Sequence, residues 1–520
     1  MHARAGRGPC DVSPTSDEDT RRLSAETAHD VDELKDVPEG AVGELLAHEA
    51  TLAMLLAEQD ILAVGEGSGG SSDPGDGEPW PRRDPAGPVA NDEPSSEAAS
   101  SDPGTLIRSR QYRVILVFAA VIGVVVSLAA WGFLEVVHAI QVGVYQDLPG
   151  DLGFDTVPWW WPLPWLAIAG LLTAIAITRL PGTGGHVPAN GLRTGGGPTQ
   201  PIELPGVLVA ALATLGLGLV LGPEAPLIAL GMGLGVLAVR RVRRDAPQQL
   251  VSVMAAAGSF AAISTVFGSP VIAAVILIEA AGLGGAMLPV VLLPGLVAAG
   301  LGSLVFVGMG AWTGLSTSAW ALSPFDLPPF SQPTAVHFLW AIGLAIAAAV
   351  VVFVIVRLAR LIAPLVARRP IAFTTVAALI VGALAIAFNQ VTDQPADAVL
   401  FSGQDAFGAL LADAPSLSLS VFVWLLVFKG LAWSISLGNF RGGPTFPALF
   451  LGTVVGLLAG HLPGLSETPA VAVLMGAACV SMLRLPLSSV VIALLLTSSA
   501  GLAVGPLIIV AVISSWQPSS

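Results

Sequence analysis

The sequence predicts an all-α polytopic membrane protein, built as an inverted repeat of broken and tilted transmembrane helices. Three observations carry the prediction. Of 520 residues, 54% are apolar and 12% charged, about half the charged share of an ordinary soluble domain. Apolar segments recur along the chain, several long enough to cross a bilayer unaided, which takes about 18 residues or more. Others are shorter and interrupted by Gly or Pro. At membrane depth such segments must be buried in protein or line a cavity, and they are the usual pointer to a transport site.

The elements follow in chain order. Residues 1–105 hold 23 of the 37 acids and 7 of the 23 Lys and Arg, a net charge of −16, so the remainder carries +2 of the overall −14. The acidity therefore belongs to a tail and identifies no charged partner; no nucleic acid is expected to bind. Residues 37–64 repeat Leu, Met and Ala at helical spacing with acids between, predicting one or two amphipathic helices. Glu66 to Pro103, rich in Gly, Ser, Asp and Pro, reads as a disordered linker. No apolar stretch follows the N-terminal basic residues, so no cleavable signal is expected. Cys10 and Cys479 predict neither a disulfide framework nor a zinc or redox pair.

The transmembrane domain is expected over 106–520. Its apolar segments run at about 114–138, 163–180, 204–221, 226–239, 251–267, 271–283, 286–309, 336–361, 373–388, 417–437, 448–461 and 469–483, with two more ending near Ile513. Basic residues cluster at Arg108, Arg110 and Arg113, at Arg240, Arg241, Arg243 and Arg244, and at Arg357, Arg360, Arg368 and Arg369. The positive-inside rule puts these sites, and the acidic tail with them, in the cytoplasm of a plasma or inner membrane protein. The aromatic run "VPWWWPLPW", Val157 to Trp165, reads as an anchor at the opposite interface.

A repeat divides this domain into halves of about 112–310 and 334–515. "GSPVIAAVILIE" (Gly268 to Glu279) resembles "RLPLSSVVIALLL" (Arg484 to Leu496), and each follows a Gly/Pro motif at a similar distance. Pro270 lies 46 residues after Glu224, and Pro486 lies 40 after Phe446. An inverted relation between the halves is the expectation.

Three segments combine Gly with a helix-starting Pro: "GTGGHVP" (Gly182 to Pro188), "GPEAP" (Gly222 to Pro226) and "GGPTFP" (Gly442 to Pro447). Pro fits the first helical turn, where its missing N–H has no intrahelical partner anyway, and Gly lets the backbone approach a ligand. Each segment predicts a loop delivering a helix N-terminus into the membrane. Such an end offers unpaired N–H groups and the positive end of the helix dipole, worth about 0.3–1 kcal/mol toward an anion. Three converging ends would offset dehydration of a small anion without a full positive charge at the site, which favours passage over trapping.

In this order the three segments resemble the signature loops GSGIP, GREGP and GGIFAP of the CLC chloride channel and chloride/proton antiporter family. "FGSPVIAAVILIE" is similar to that family's "NAPLAGxLFxxEE" segment. The resemblance runs from about Tyr112 to the end of the chain. It implies a homodimer with one anion pathway per subunit, bound chloride, protons as second substrate and no other cofactor. It makes Glu224 the gating carboxylate, which sits in an anion's place when ionised and leaves when protonated. It makes Thr183 and Gly184 anion-binding through the loop hydroxyl and backbone, and likewise the backbone N–H groups near Thr445 and Phe446. His186 stands where the family has an apolar residue and reads as a histidine hydrogen-bonded at a helix start.

Departures from the family pattern bear on mechanism. The proton-relaying position of the "EE" pair is Ala280, leaving Glu279 either as a substitute relay or as an ordinary helix-end carboxylate. The only tyrosines, Tyr112 and Tyr145, lie far upstream of the family's inner-gate tyrosine, and the last helix reads as altered or truncated with no CBS domain pair after it. The sequence therefore favours chloride transport gated by Glu224, uncoupled or weakly proton-coupled, over strict chloride/proton antiport. A CLC-type fluoride exporter fits less well because the threonine and proline pattern is kept. An enzyme is not expected, since neither a zinc-protease motif nor a nucleophile elbow is present, and a non-transporting membrane scaffold is the remaining alternative.

Overall fold

A computed structural model of the protein describes residue 107 and residues 109–191, 197–281, 287–313 and 324–517. The acidic tail, its predicted helices at 37–64 and Cys10 lie outside the described residues. The first half comprises α1 (Arg110–Val142), α2 (Pro162–Arg179), α3 (Leu204–Gly216), α4 (Glu224–Val242), α5 (Gln248–Phe267), α6 (Pro270–Ala281) and α7 (Met287–Thr313). The second comprises α8 (Ala335–Ala367), α9 (Pro370–Thr392), α10 (Leu419–Asn439), α11 (Thr445–Ala459), α12 (Glu467–Leu483), α13 (Pro486–Leu496) and α14 (Gly505–Ser515). Among the described residues, eight helices are long and apolar enough to cross a membrane. The helices α3, α6, α11, α12, α13 and α14 are shorter, as the interrupted segments predict.

Two apolar environments explain the composition. Along α1, Ala119, Ile122, Val126 and Ala130 are buried against the protein, while Val117, Val121 and Val125 are exposed. Both stripes are apolar and each follows helical spacing, so one face packs on protein and the other meets hydrocarbon. The helix α5 has no such outer face; nine-tenths of its apolar window is buried, and it packs against α1, α4, α6 and α7. In the second half, α12 is likewise buried almost throughout. These two helices form the centre of the protein, and Cys479 is a buried free thiol on α12.

The halves are related by more than order. Gly222 and Gly443 form an antiparallel bridge, each donating its N–H to the other's carbonyl at 2.7 and 2.6 Å. Both lie two residues before the start of a helix, α4 and α11 respectively, so they are equivalent positions of the two halves. Antiparallel pairing of equivalent residues is what a two-fold axis between inverted halves produces. The packing of α6 on its counterpart α13 agrees with that axis.

Some boundaries differ from the sequence reading, for identifiable reasons. The helix expected to reach Leu221 stops at Gly216, because the next backbone groups are bonded elsewhere. Val220 N–H is accepted by Ser436 Oγ at 3.2 Å, Gly222 pairs with Gly443, and Gly218 adopts a φ of 109°. The segment after "GTGGHVP" forms only a single 3₁₀ turn, Pro188–Asn190, in place of the predicted helix start; residues 192–196 lie outside the description. The aromatic run is also split. Trp159 is exposed, as an interface anchor would be, but Trp161 is 3% exposed and donates Nε1–H to Val144 O at 2.9 Å.

One buried cation anchors the outer wall of this arrangement. Lys429, on α10, is fully buried. Its Nζ donates toward the carbonyls of Ala398, Val399, Leu400 and Phe401 at 3.0, 3.2, 2.8 and 3.3 Å, and lies 4.6 Å from the centre of the Phe450 ring. Phe401 in turn donates its N–H to Gly218 O at 3.2 Å, so the cage holds the strand of chain that leads into the Gly222 bridge. Replacing Lys429 by Met removes the donor and strands buried carbonyls, which costs about 1–3 kcal/mol per unsatisfied group. Lys429→Met is expected to lower the melting temperature clearly in detergent and to speed proteolysis within 393–406. Unchanged melting and cleavage would show that the cage contributes nothing.

Candidate functional site

The bridge of two glycines brings "GPEAP" and "GGPTFP" into contact, and between them lies the one acid of α4's first turn. Glu224 is 1% exposed and begins α4 after the N-cap Pro223. Its side chain does not cap its own helix. It crosses to the other half, where Oε1 accepts the backbone N–H of Thr445 at 2.5 Å. Thr445 is the first residue of α11, so the carboxylate lies against the N-terminus of the opposing helix, where unpaired N–H groups and the positive dipole end favour negative charge. The second oxygen, Oε2, is buried and has no hydrogen-bond donor among the described residues.

Glycine is required at this crossing for space. A Cβ on Gly443 would fall on the Glu224 carboxyl, and one on Gly222 would meet both that carboxyl and the Phe446 ring. The floor is aromatic: Phe446, fully buried, stacks on Phe267 with ring centres 5.3 Å apart and planes at 16°. The carboxyl is thus held in a small buried space bounded by one backbone donor and ring faces.

The third motif approaches from a different direction. Pro181–Gly184 is a tight turn in which Gly182 and the non-glycine Thr183 both take positive φ, 79° and 49°. Gly184 is buried, whereas Thr183 is exposed with a free hydroxyl among the described residues. What ties this loop to α11 is Arg441, which the sequence reading did not single out. Arg441 is 8% exposed; its Nε donates to Thr183 O and its Nη1 to Phe440 O, both at 3.2 Å. The expectation that no full positive charge accompanies the helix ends is therefore corrected. The local signal was its place immediately before Gly442 and Gly443.

The remaining predicted residues fall as follows. His186 donates Nε2–H to Gly191 O at 2.5 Å, and burial lowers its pKa below the usual histidine value, opposed by that bond and aided by Arg441. Glu279 lies apart from Glu224 as a cap in trans. Its Oε1 accepts Leu487 N–H at 2.9 Å, and its Oε2 accepts Ser488 N–H at 2.7 Å and the Ser488 hydroxyl at 2.6 Å. It thereby closes the first turn of α13. A cavity of about 200 Å³ separates the Gly182–His186 loop from α4; Glu203, Thr199, Ala225 and Ile228 are among the residues lining it. Among the described residues no group of His, Cys, Asp and Glu could hold a metal ion.

The contact between Glu224 and Gly443 is testable without any assumption about function. Gly443→Ala is expected to destabilise the protein, and to do so less once Glu224→Ala has emptied the space. A double-mutant cycle on melting in detergent should give a coupling of about 1 kcal/mol or more, the scale seen for residues in direct contact. Strict additivity would remove the carboxylate from that position.

A family model described as "Voltage gated chloride channel" matches residues 166–518. The chain is 30% identical over 372 residues to "Putative ion-transport protein YfeO" of Escherichia fergusonii, covering 68% of this chain and 81% of that one; the protein of that name from Escherichia coli gives the same figures. Among solved structures, a slow cyanobacterial Cl⁻/H⁺ antiporter superposes with a TM-score of 0.62 at 19% identity, covering 77% of this chain and 94% of the other. A CLC-type fluoride/proton antiporter gives 0.60 at 17%, covering 78% and 95%. At these identities the two structures are likenesses of fold.

Proposed function

The chain belongs to the voltage-gated chloride channel family, a family of anion transporters and not of enzymes, and on that premise we propose that it passes chloride along a route gated by protonation of Glu224. The observation that carries this reading is the Glu224 carboxylate lodged at the N-terminus of α11 with one buried oxygen unpartnered. An ionised carboxylate and a chloride ion ask the same of Thr445 N–H, so one excludes the other. On protonation the carboxyl loses its attraction to the helix end, and desolvated charge at membrane depth, which costs roughly 2.5–3.5 kcal/mol for an acid at the bilayer centre, is relieved. The seat is then free for the permeating anion. Gly184, Thr183, Thr445 and Phe446 line the route in this reading, and Arg441 supplies the long-range attraction while its bonds to Thr183 and Phe440 fix it in place.

Transport is uncoupled or weakly proton-coupled in this proposal. Ala280 has no proton to give, and Glu279 spends its oxygens on α13. One observation favours a second reading, strict exchange: the cavity lined by Glu203 reaches Ala225, the neighbour of Glu224, and offers water-accessible space beside a carboxylate that accepts Gln200 N–H at 2.9 Å. The subunits act as a homodimer with the N-terminal tail in the cytoplasm.

Two experiments test this function. In proteoliposomes, chloride efflux through the wild type is expected to rise as pH falls, because the neutral carboxyl vacates the seat. Glu224→Gln should give efflux as high as the acid-side wild type and nearly flat from pH 4.5 to 8; a retained pH profile would show that another group gates. Second, with potential clamped, a chloride gradient is expected to move few or no protons uphill. Stoichiometric pumping that disappears in Glu203→Gln would establish strict exchange through the second cavity instead.

A further inference from the structure

A group of three arginines without carboxylate partners gathers around a second cavity. Arg357 and Arg360, one turn apart on α8, and Arg484, at the end of α12, line one cavity of about 260 Å³ together with Asn190, Phe353 and Gln517. Among the described residues no acidic side chain lines it, and none of the three arginines pairs with a carboxylate. Arg357 and Arg360 are exposed, and Arg484 is offset only by the C-terminal end of α12, so the three guanidinium groups have no carboxylate to neutralise them among the described residues.

Arg484 carries an independent indication. It is the C-cap of α12 and holds the left-handed conformation, φ 60° and ψ 28°, which a side chain with Cβ adopts at a cost and glycine adopts freely. The equivalent place in the first half, two residues before the proline that opens the next helix, is Gly268, also left-handed at φ 62° and ψ 13°. The repeat thus solves the same turn with glycine on one side and with arginine on the other. The arginine is the member that faces a cavity. A left-handed residue other than glycine is the kind of outlier from which a use of the side chain is inferred.

The donor chemistry selects the ligand. A guanidinium is a planar fork matched to two oxygens of one group, and a set of them suits a phosphate-class oxyanion better than a spherical halide, whose shell has no directions to match. The amides of Asn190 and Gln517 add neutral donors. Phe353, an exposed apolar residue on the lipid-facing part of α8, forms one lip, so an acyl chain could lie against it while its headgroup enters. Basic pockets between membrane helices on the cytoplasmic side take lipid headgroups for this reason.

We propose that the Arg357, Arg360 and Arg484 cavity binds a phosphate-class oxyanion, presented by an anionic phospholipid or free in solution. The site bears on transport through the chain that follows the first motif: Asn190 and Gly191 line the cavity, and Gly191 O holds His186. Occupancy would brace the loop that carries Thr183. This inference stands whether or not Glu224 is the gate.

The test uses the full chain purified in detergent. Inorganic phosphate is titrated against sodium gluconate at matched ionic strength, following the melting temperature; in parallel, native mass spectrometry scores retention of phosphatidylglycerol over phosphatidylcholine. A stabilisation by phosphate, or selective retention of phosphatidylglycerol, that is reduced at least tenfold in apparent affinity by Arg357→Gln with Arg360→Gln supports the site. The first result identifies a soluble oxyanion and the second a headgroup. Arg484→Gly guards against misfolding as an explanation, since glycine suits that conformation: it should melt at or above the wild-type temperature and still lose the ligand response. Neither response in the wild type, or a response equal in all variants, overturns the proposal.

Discussion

The pair of hydrogen bonds between Gly222 and Gly443 is the constraint from which the rest of this architecture follows. It joins equivalent backbone positions of two inverted halves at membrane depth, where no water could satisfy those groups. Each strand of the bridge opens a helix two residues later, so the bridge fixes where both helix N-termini point. It also fixes their separation closely enough that a side chain from one helix start reaches the first N–H of the other. Glu224 on Thr445 is the result. The absence of side chains at both glycines is what leaves room for a carboxyl there.

Around that centre the protein spends its buried cations, Lys429 and Arg441, on backbone carbonyls. Lys429 ties down 398–401, which holds Gly218 and therefore the approach to Gly222. Arg441 joins the Thr183 turn to the residue preceding the second glycine loop. Both act as struts between segments that have no regular structure of their own, and such segments survive at membrane depth only when their carbonyls find donors. Both struts are basic side chains, and Asp397 lies near enough to Lys429 to offset part of its charge. In the proposed anion route, backbone donors give a weak local seat, and Arg441, held by its own bonds, raises the anion's local concentration.

Much of the scaffold was legible in the chain. Apolar segment after apolar segment became a helix within a few residues of its expected ends, because in hydrocarbon a backbone has no alternative to internal hydrogen bonding. The reading was weaker where chain direction changes. "GTGGHVP" was expected to start a helix and forms a 3₁₀ turn, since positive φ at Gly182 and Thr183 breaks the regular ladder. Trp161 reads in the sequence like its exposed neighbours, and its burial follows from packing on Phe154, Trp160 and Trp165 and its bond to Val144 O. Glu279 is open to two readings in the sequence, and its contact with the first turn of α13 joins residues 208 and 209 positions apart.

What the sequence by itself determined is class, span, repeat and the three motifs with Glu224 among them, for these rest on composition and local spacing. What only the tertiary structure decided is which groups meet. The capture of Glu224 by the other half's helix, the strut roles of Arg441 and Lys429, and the gathering of Arg357, Arg360 and Arg484 into one cavity all join residues far apart in sequence. Their contacts depend on the two-fold arrangement of the halves and on side-chain reach across it, and no local pattern in a chain encodes a distance between its halves.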